Sequence, residues 1–233
     1  STFLQRAYDQ IINDLCINNS NALILVYRAS IYGNKDMTHL GFNDITMLSN
    51  MPNLMYLAPT TVEELESSIR YGVEHHNHPI AIRIPVGSPI YETSQSNTTG
   101  CPVTSCNITQ SGNTIAIIGV GNFYHKAVEL SQAIHDAIHI SPTLVKPLCI
   151  SSLDTDTLNE LTKNHNIVIT LEDGELEGGY GQKIASYYGK TSMNVLNYGI
   201  SKQFYDRYNP EDVLQQNHLD FEHILDDIQN IHH

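Results

Sequence analysis

Short apolar runs recur along this chain at Ala22-Leu-Ile-Leu-Val-Tyr27, Leu54–Leu57, Ile80-Ala-Ile-Arg-Ile84, Thr114-Ile-Ala-Ile-Ile118, Thr143–Val145, Ile167–Leu171 and Met193–Leu196. They are nearly continuous in hydrophobicity rather than alternating, as strands buried on both faces are. Between them lie amphipathic stretches of helical period. Val62, Leu65, Ile69 and Val73 form one stripe, Ala127, Leu130, Ala133, Ile134 and Ala137 another, and Phe221, Ile224, Leu225 and Ile228 a third. Further helices are expected near 42–50, 154–163 and 178–188. Strands alternating with helices specify an α/β fold, with mainly parallel sheets covered by helices on both faces.

The pattern breaks once. From Tyr91 to Asn113 the residues are mostly Ser, Thr, Asn, Gln and Gly, which reads as a linker or an edge hairpin. Two three-layer α/β/α domains are therefore expected, 1–91 and 113–231, joined by 92–112. The first looks incomplete: Phe3, Leu4, Ala7, Tyr8, Ile11, Ile12 and Leu15 make an apolar helical stripe, capped by Ser1 or Thr2, before any strand appears. A strand–helix–strand unit should have its first strand upstream of Ser1.

With 25 acidic and 12 basic residues the net charge is −13, which argues against a nucleic-acid or anionic-membrane surface. No apolar run approaches the roughly 20 residues of a membrane span, and the start is not a signal peptide, so a soluble cytoplasmic protein is expected. In that compartment Cys101 and Cys106 are read as free thiols rather than a disulfide, and Cys16 and Cys149 as buried apolar residues. His75, His76 and His78 read as a solvated turn. Gly119-Val-Gly121 lacks the third glycine of a dinucleotide fingerprint and reads as a strand-to-helix turn. Thr61 and Glu64 form a capping box. Glu172, Asp173, Glu175 and Glu177, just before Gly178-Gly-Tyr-Gly181, read as a solvated loop or a subunit contact.

Certain words in the chain are more specific. Ser1-Thr-Phe-Leu-Gln-Arg-Ala-Tyr-Asp-Gln10, Tyr27-Arg-Ala-Ser-Ile-Tyr-Gly33, Thr38-His39, Arg83-Ile-Pro85, Leu144-Val-Lys-Pro-Leu148, Gly178-Gly-Tyr-Gly181 and Val195-Leu-Asn-Tyr-Gly199 span nearly its whole length. Together they resemble the pyrimidine-binding and C-terminal domains of the 1-deoxy-D-xylulose-5-phosphate synthases, thiamine-diphosphate enzymes of the transketolase superfamily. The resemblance implies a parent enzyme that uses thiamine diphosphate and Mg2+. That parent would join pyruvate to glyceraldehyde 3-phosphate with loss of CO2, feeding isoprenoid and thiamine synthesis, and would pair as a homodimer.

The same resemblance implies roles for particular residues. Phe3 would stack on the aminopyrimidine with Arg6 beside it, although Phe3 is equally a core residue and Arg6 equally a surface one. Arg28, directly after a strand, would bind the acceptor's phosphate or anchor its loop through a salt bridge. His39 would act at the reacting carbon as a hydrogen-bond donor or proton shuttle. Asp36 and Lys35 would contact the substrate.

This chain departs from the pattern in several places. Ser30 stands where the family has Gly, Lys35 at the acidic position with Asp36 one residue late, and Val86 in place of a phosphate-binding arginine. The family's Gly-Asp-Gly segment with its Asn, which holds the metal and the diphosphate, is absent, as is the activating glutamate that precedes the first helix. A fragment inactive alone and binding no cofactor is therefore expected. A subunit of a split transketolase or of a 2-oxo-acid dehydrogenase β-type enzyme, and a noncatalytic interaction module, remain as alternatives.

Overall fold

The computed structural model describes residues 1–32, 36–74, 77–87 and 104–232. His75 and His76, Lys35 and Cys101 lie outside the described residues. Two sheets organise the chain. The first has the order β1-β3-β2, from Leu23–Val26 (β1), Met55–Leu57 (β2) and Ile80–Arg83 (β3), and is wholly parallel. The second has the order β4-β6-β5-β7-β8, from Cys106–Gln110 (β4), Thr114–Gly119 (β5), Thr143–Pro147 (β6), His165–Glu175 (β7) and Asn194–Ile200 (β8). Only β4 runs antiparallel, so the polar Tyr91–Asn113 stretch ends in an edge strand on β6.

The strands show why the apolar runs are continuous. On β3, Ile80 and Ile82 face Leu65 and Ile69 of α3 (Val62–Glu74). Ala81 faces the other way, into a core shared with Leu4, Ile11 and Leu15. On β5, Ile115 and Ile117 meet Ala127, Leu130 and Ile134 of α4 (Phe123–Ile138) and Ile224 and Ile228 of α8 (Phe221–His232). Ala116 and Ile118 meet Leu158 and Leu161 of α5 (Thr155–Leu161) and Tyr180, Ile184 and Tyr188 of α6 (Tyr180–Tyr188). Helices thus cover both faces, as the period of the sequence requires. The core on the Ala116 side runs without a break from the second sheet to Val26, Tyr56 and Ala81 of the first. A helix not expected from the sequence, α7 (Pro210–Gln216), starts with Pro210 at N1 behind the Asn209 cap.

Several expectations need correction. Residues 2–16 are helical, but Thr2–Ala7 turn as a 3-10 helix, Tyr8–Gln10 (α1) as an α-helix and Ile11–Cys16 as a π-helix. A 3-10 turn rotates about 120° per residue against about 100° in an α-helix, so the phase drifts by about 80° over four residues. Phe3 consequently leaves the buried stripe and is exposed; Tyr8 is exposed as well, while Ile11 stays inside. Neither Ser1 nor Thr2 caps that helix; the Thr2 hydroxyl donates instead to the Leu40 carbonyl at 2.6 Å. Val73 is exposed at the end of α3.

The capping box is half formed. Thr61 Oγ1 accepts from the Glu64 N–H at 3.2 Å, but the Glu64 carboxylate bonds the Thr60 N–H and hydroxyl, both at 2.8 Å, and pairs with Lys146. Glu172 and Asp173 are not on a solvated loop: β7 runs on through them and both are 0% exposed. Gly119-Val-Gly121 is the expected strand-to-helix turn, with Gly121 at φ +54°. Cys106 is a free thiol, pushed up to about 12 by burial and by Asp154.

Candidate functional site

Several of the residues singled out in the sequence lie around the carboxyl end of β1. The chain leaves the strand through Arg28 at φ +57° and Ser30 at φ +103° and returns past Gly41. A Cβ on Gly41 would lie 2.4 Å from the Arg28 carbonyl, so only glycine lets the two loop arms meet there. The Ser30 N–H donates to the Gly41 carbonyl at 2.8 Å and ties them together.

His39 lies on a single 3-10 turn, Met37–His39. Asp36 is its N-cap, and its Oδ1 accepts from the Thr38 N–H at 2.9 Å and from the Thr38 hydroxyl at 2.6 Å. Those two hydrogen bonds hold the Asp36 carboxyl below its usual range. Thr38 Oγ1 also lies 2.7 Å from His39 Nδ1. A hydroxyl has one proton to give. With that proton on the carboxylate, the Thr38 oxygen accepts from His39 Nδ1–H, and the neutral imidazole keeps its lone pair on Nε2. Asp36, read from the sequence as a substrate contact, is thus placed to orient Thr38 and through it His39.

Phe3 lies edge-on to the His39 ring with centroids 5.1 Å apart, and it is 70% exposed. The 3-10 start that removes it from the core is what brings it to His39. Arg6 and Arg28 are both exposed. The Ser1 nitrogen lies in hydrogen-bond reach of the Tyr27 carbonyl, beside the end of β1. A groove of about 700 Å3 runs alongside, lined by Thr2, Met37 and Thr38 on one side and Glu175, Lys202 and Phe204 on the other. A larger cleft of about 1080 Å3 opens elsewhere, between Ser49–Met55 and α6, and contains none of these residues.

The exposed Phe3 face suits a flat heteroaromatic ring such as an aminopyrimidine. Among the described residues no group of three or more His, Cys, Asp or Glu is placed to hold a metal ion. Phe3 is therefore the described residue whose surroundings fit a part of the cofactor, its ring.

Behind the site lie two features the sequence analysis missed. Arg83, 2% exposed, donates from Nε to Asp44 Oδ2 at 2.7 Å, from Nη2 to Asp44 Oδ1 at 3.3 Å, and from Nη1 to Asp173 Oδ1. Asp44 opens α2 (Asp44–Leu48) in the first half, and Asp173 belongs to β7 of the second sheet. Tyr56 donates its hydroxyl to Asp44, and Asn122 donates to Asp173 Oδ2 at 2.9 Å, so two neutral donors relieve the extra negative charge. An arginine inside Ile80-Ala-Ile-Arg was the available signal, because a buried guanidinium needs carboxylate partners.

The second feature is Glu172. Its oxygens accept from the Tyr180 and Gly181 N–H groups at 2.9 and 2.8 Å, capping α6 from within the protein. Burial outweighs those bonds and pushes its carboxyl up to about 7. A Cβ on Gly179 would lie 2.5 Å from Glu172 Oε2, and one on Gly181 2.5 Å from Thr170 Oγ1. Gly179 and Gly181 permit this close approach.

Two domains of one enzyme family account for this arrangement. The chain matches the model of the transketolase C-terminal domain over residues 104–224 and that of the transketolase pyrimidine-binding domain over residues 1–88, and it belongs to the transketolase family. Among curated relatives it is 31% identical to 1-deoxy-D-xylulose-5-phosphate synthase of Clostridium tetani, over 99% of this chain and 37% of that protein. It is 33% identical to the synthase of Alkaliphilus oremlandii, over 98% of this chain and 37% of that protein. With the synthase of Gloeothece citriformis it again shares 33%, over 98% of this chain and 36% of that protein. The chain thus spans little more than a third of the length of these relatives. Its fold matches a solved chain described as a split gene transketolase, inactive beta4 tetramer, with a TM-score of 0.84 at 19% identity, over 98% of this chain and 73% of that one.

Proposed function

We propose that this chain is the acceptor-side part of a thiamine-diphosphate-dependent transferase of the 1-deoxy-D-xylulose-5-phosphate synthase type, acting on pyruvate and an aldehyde and pairing as a homodimer. The single observation that carries this reading is the Asp36–Thr38–His39 relay beside the exposed ring of Phe3, within a pyrimidine-binding domain. Thiamine diphosphate, when bound, supplies the carbon nucleophile that this chemistry needs. His39 contributes what a carbonyl addition requires of the protein. In its protonated form Nε2 is a donor for the aldehyde oxygen as negative charge develops there, and Thr38 keeps the ring in register. Phe3 offers its face to the cofactor's pyrimidine, and Arg28 is the available cation for an anionic acceptor.

The activating glutamate and the metal site must come from outside the residues described, so the chain alone is expected to be inactive. The test uses the longest reading frame that contains this sequence, supplied with pyruvate, glyceraldehyde 3-phosphate, thiamine diphosphate and Mg2+. Deoxyxylulose phosphate should form, and His39→Ala should lower its rate about 100- to 10,000-fold. Carbon dioxide release without that product would reassign the acceptor, and neither release nor product would reject the reading.

A second reading has the cofactor-holding part as a separate chain. The match to a split gene transketolase over 98% of this chain favours it. Activity appearing only when a separately encoded partner is added would establish it.

A further inference from the structure

His39 belongs to the first half of the chain, but the residues on either side of its turn are buried in the second. Ile31, on the way out from β1, and Leu40 and Phe42, on the way back, sit in the core built by Ile115 and Ile117 of β5 and by the apolar stripe of α4. Tyr205 and Tyr208, on the connection between β8 and α7, pack on the Phe42 ring with centroids 5.5 and 5.8 Å away. The Glu175 N–H of β7 donates to the Phe42 carbonyl at 3.1 Å.

The same short connection makes two polar contacts with the backbone around the turn. Tyr208 donates its hydroxyl to the buried Ile31 carbonyl at 2.9 Å. Burial pushes that hydroxyl up to about 12, so it keeps its proton across the neutral range. Asp206, two residues earlier, accepts through Oδ1 from the Met37 N–H at 3.3 Å. The first N–H groups of a helical turn have no partner within the turn. Asp36 takes that of Thr38 and Asp206 takes that of Met37, so a carboxylate from each half holds the turn that carries His39. Arg207, between Asp206 and Tyr208, adopts φ +48°, a conformation costly for a non-glycine residue that persists where its surroundings fix it.

We infer that Asp206 and Tyr208 are positioning residues for His39, holding the backbone at Met37 and Ile31 so that the second half of the chain sets where the imidazole is presented. The inference rests on the function proposed above for its catalytic meaning and on these hydrogen bonds for its geometry. Neither contact touches the imidazole, Thr38 or Phe3. What they fix is the register of the turn, so their loss acts on the alignment of His39 with a reacting carbonyl, and on kcat more than on substrate binding.

Three variants test this. Asp206→Leu removes the acceptor at similar size, Asp206→Asn keeps an oxygen in its place, and Tyr208→Phe removes only the hydroxyl. The Asp206 side chain is 45% exposed, so its variants leave the core intact. In the chain as it stands, hydrogen exchange at the Met37 amide should quicken about 5- to 10-fold in Asp206→Leu, and the 15N signals of the His39 ring should move. Both should return toward wild type in Asp206→Asn, and Tyr208→Phe should move the ring signals as well. In the longer parent protein, kcat should fall about 3- to 10-fold in Asp206→Leu and Tyr208→Phe and recover in Asp206→Asn, while KM for the aldehyde moves less. Unchanged exchange and ring signals in both Asp206→Leu and Tyr208→Phe, or an Asp206→Asn protein that behaves as Asp206→Leu does, would overturn the inference. Wild-type kcat in both would also overturn it and leave the proposed function standing. A wild-type parent that forms no product would instead reject that function, and the exchange and ring signals would still decide whether the second half holds the turn.

Discussion

Arg83 reaches from the end of β3 across to Asp173 on β7, so one buried guanidinium is shared between the first sheet and the second. Burial works against its charge, but Asp173 and Asp44 outweigh that and hold it protonated. A buried ion pair is weak evidence for stability as such, yet breaking one from a single side is costly. Arg83→Met leaves Asp44 and Asp173 facing each other without a cation. Urea denaturation should show a loss of about 3 to 5 kcal/mol. A loss below about 1 kcal/mol, the range of a solvent-exposed pair, would mean that water reaches the network.

Glu172 makes the docking of α6 depend on pH. Its folded value of about 7 lies above the reference 4.5, chiefly through burial. The folded state therefore holds the proton more tightly than the unfolded chain does. The favourable contribution is complete below pH 4.5 and is lost as pH rises toward 7. The difference amounts to roughly 3 kcal/mol at about 1.4 kcal/mol per pH unit. Wild-type stability relative to Glu172→Gln should fall by that order between those two pH values. Parallel stability–pH curves for the two proteins would show that Glu172 does not titrate in this range.

How far the sequence disclosed this structure depends on the range of the interaction concerned. The parallel sheets and covering helices were legible because continuous runs such as Ile115–Ile118 and stripes such as Leu130–Ile134 are local patterns. The family words named His39 and Phe3, which the structure sets edge-on to each other. The burial of Glu172 and Asp173 was not legible, since four nearby acids look solvated until a helix N-terminus and an arginine from elsewhere in the chain are brought to them. Phe3 was misplaced onto the buried stripe for a different reason: no local signal marks a helix as 3-10 rather than α, and the phase follows from that choice.

Ser30 occupies φ +103° with a side chain that is wholly buried and a hydroxyl that has no partner. Both features are costly, a non-glycine residue in that region by about 1 to 3 kcal/mol and an unmatched buried hydroxyl by a similar amount. Glycine removes both, at an unfolded-state entropy cost of about 0.5 to 1 kcal/mol. Ser30→Gly should therefore raise stability by at least about 1 kcal/mol, read from the denaturation midpoint at unchanged m-value. A destabilised variant would indicate that the hydroxyl has a partner, such as a bound water or a ligand.

Thr38 is the hinge of the relay, because its oxygen meets Asp36 at 2.6 Å and His39 at 2.7 Å. Thr38→Val keeps the shape and removes both hydrogen bonds, so Nδ1 of His39 loses its acceptor and the ring is free to change tautomer. In the chain as it stands, 15N shifts of His39 should report a proton on Nδ1 in the wild type and a mixture of tautomers in the variant, with Thr38→Ser restoring the first pattern. In the longer parent protein the same change should lower kcat about 10- to 100-fold, the worth of one hydrogen bond to a charged imidazolium, while KM for the aldehyde moves less. A loss confined to KM, with the tautomer unchanged, would place Thr38 in substrate binding and leave His39 oriented by another group.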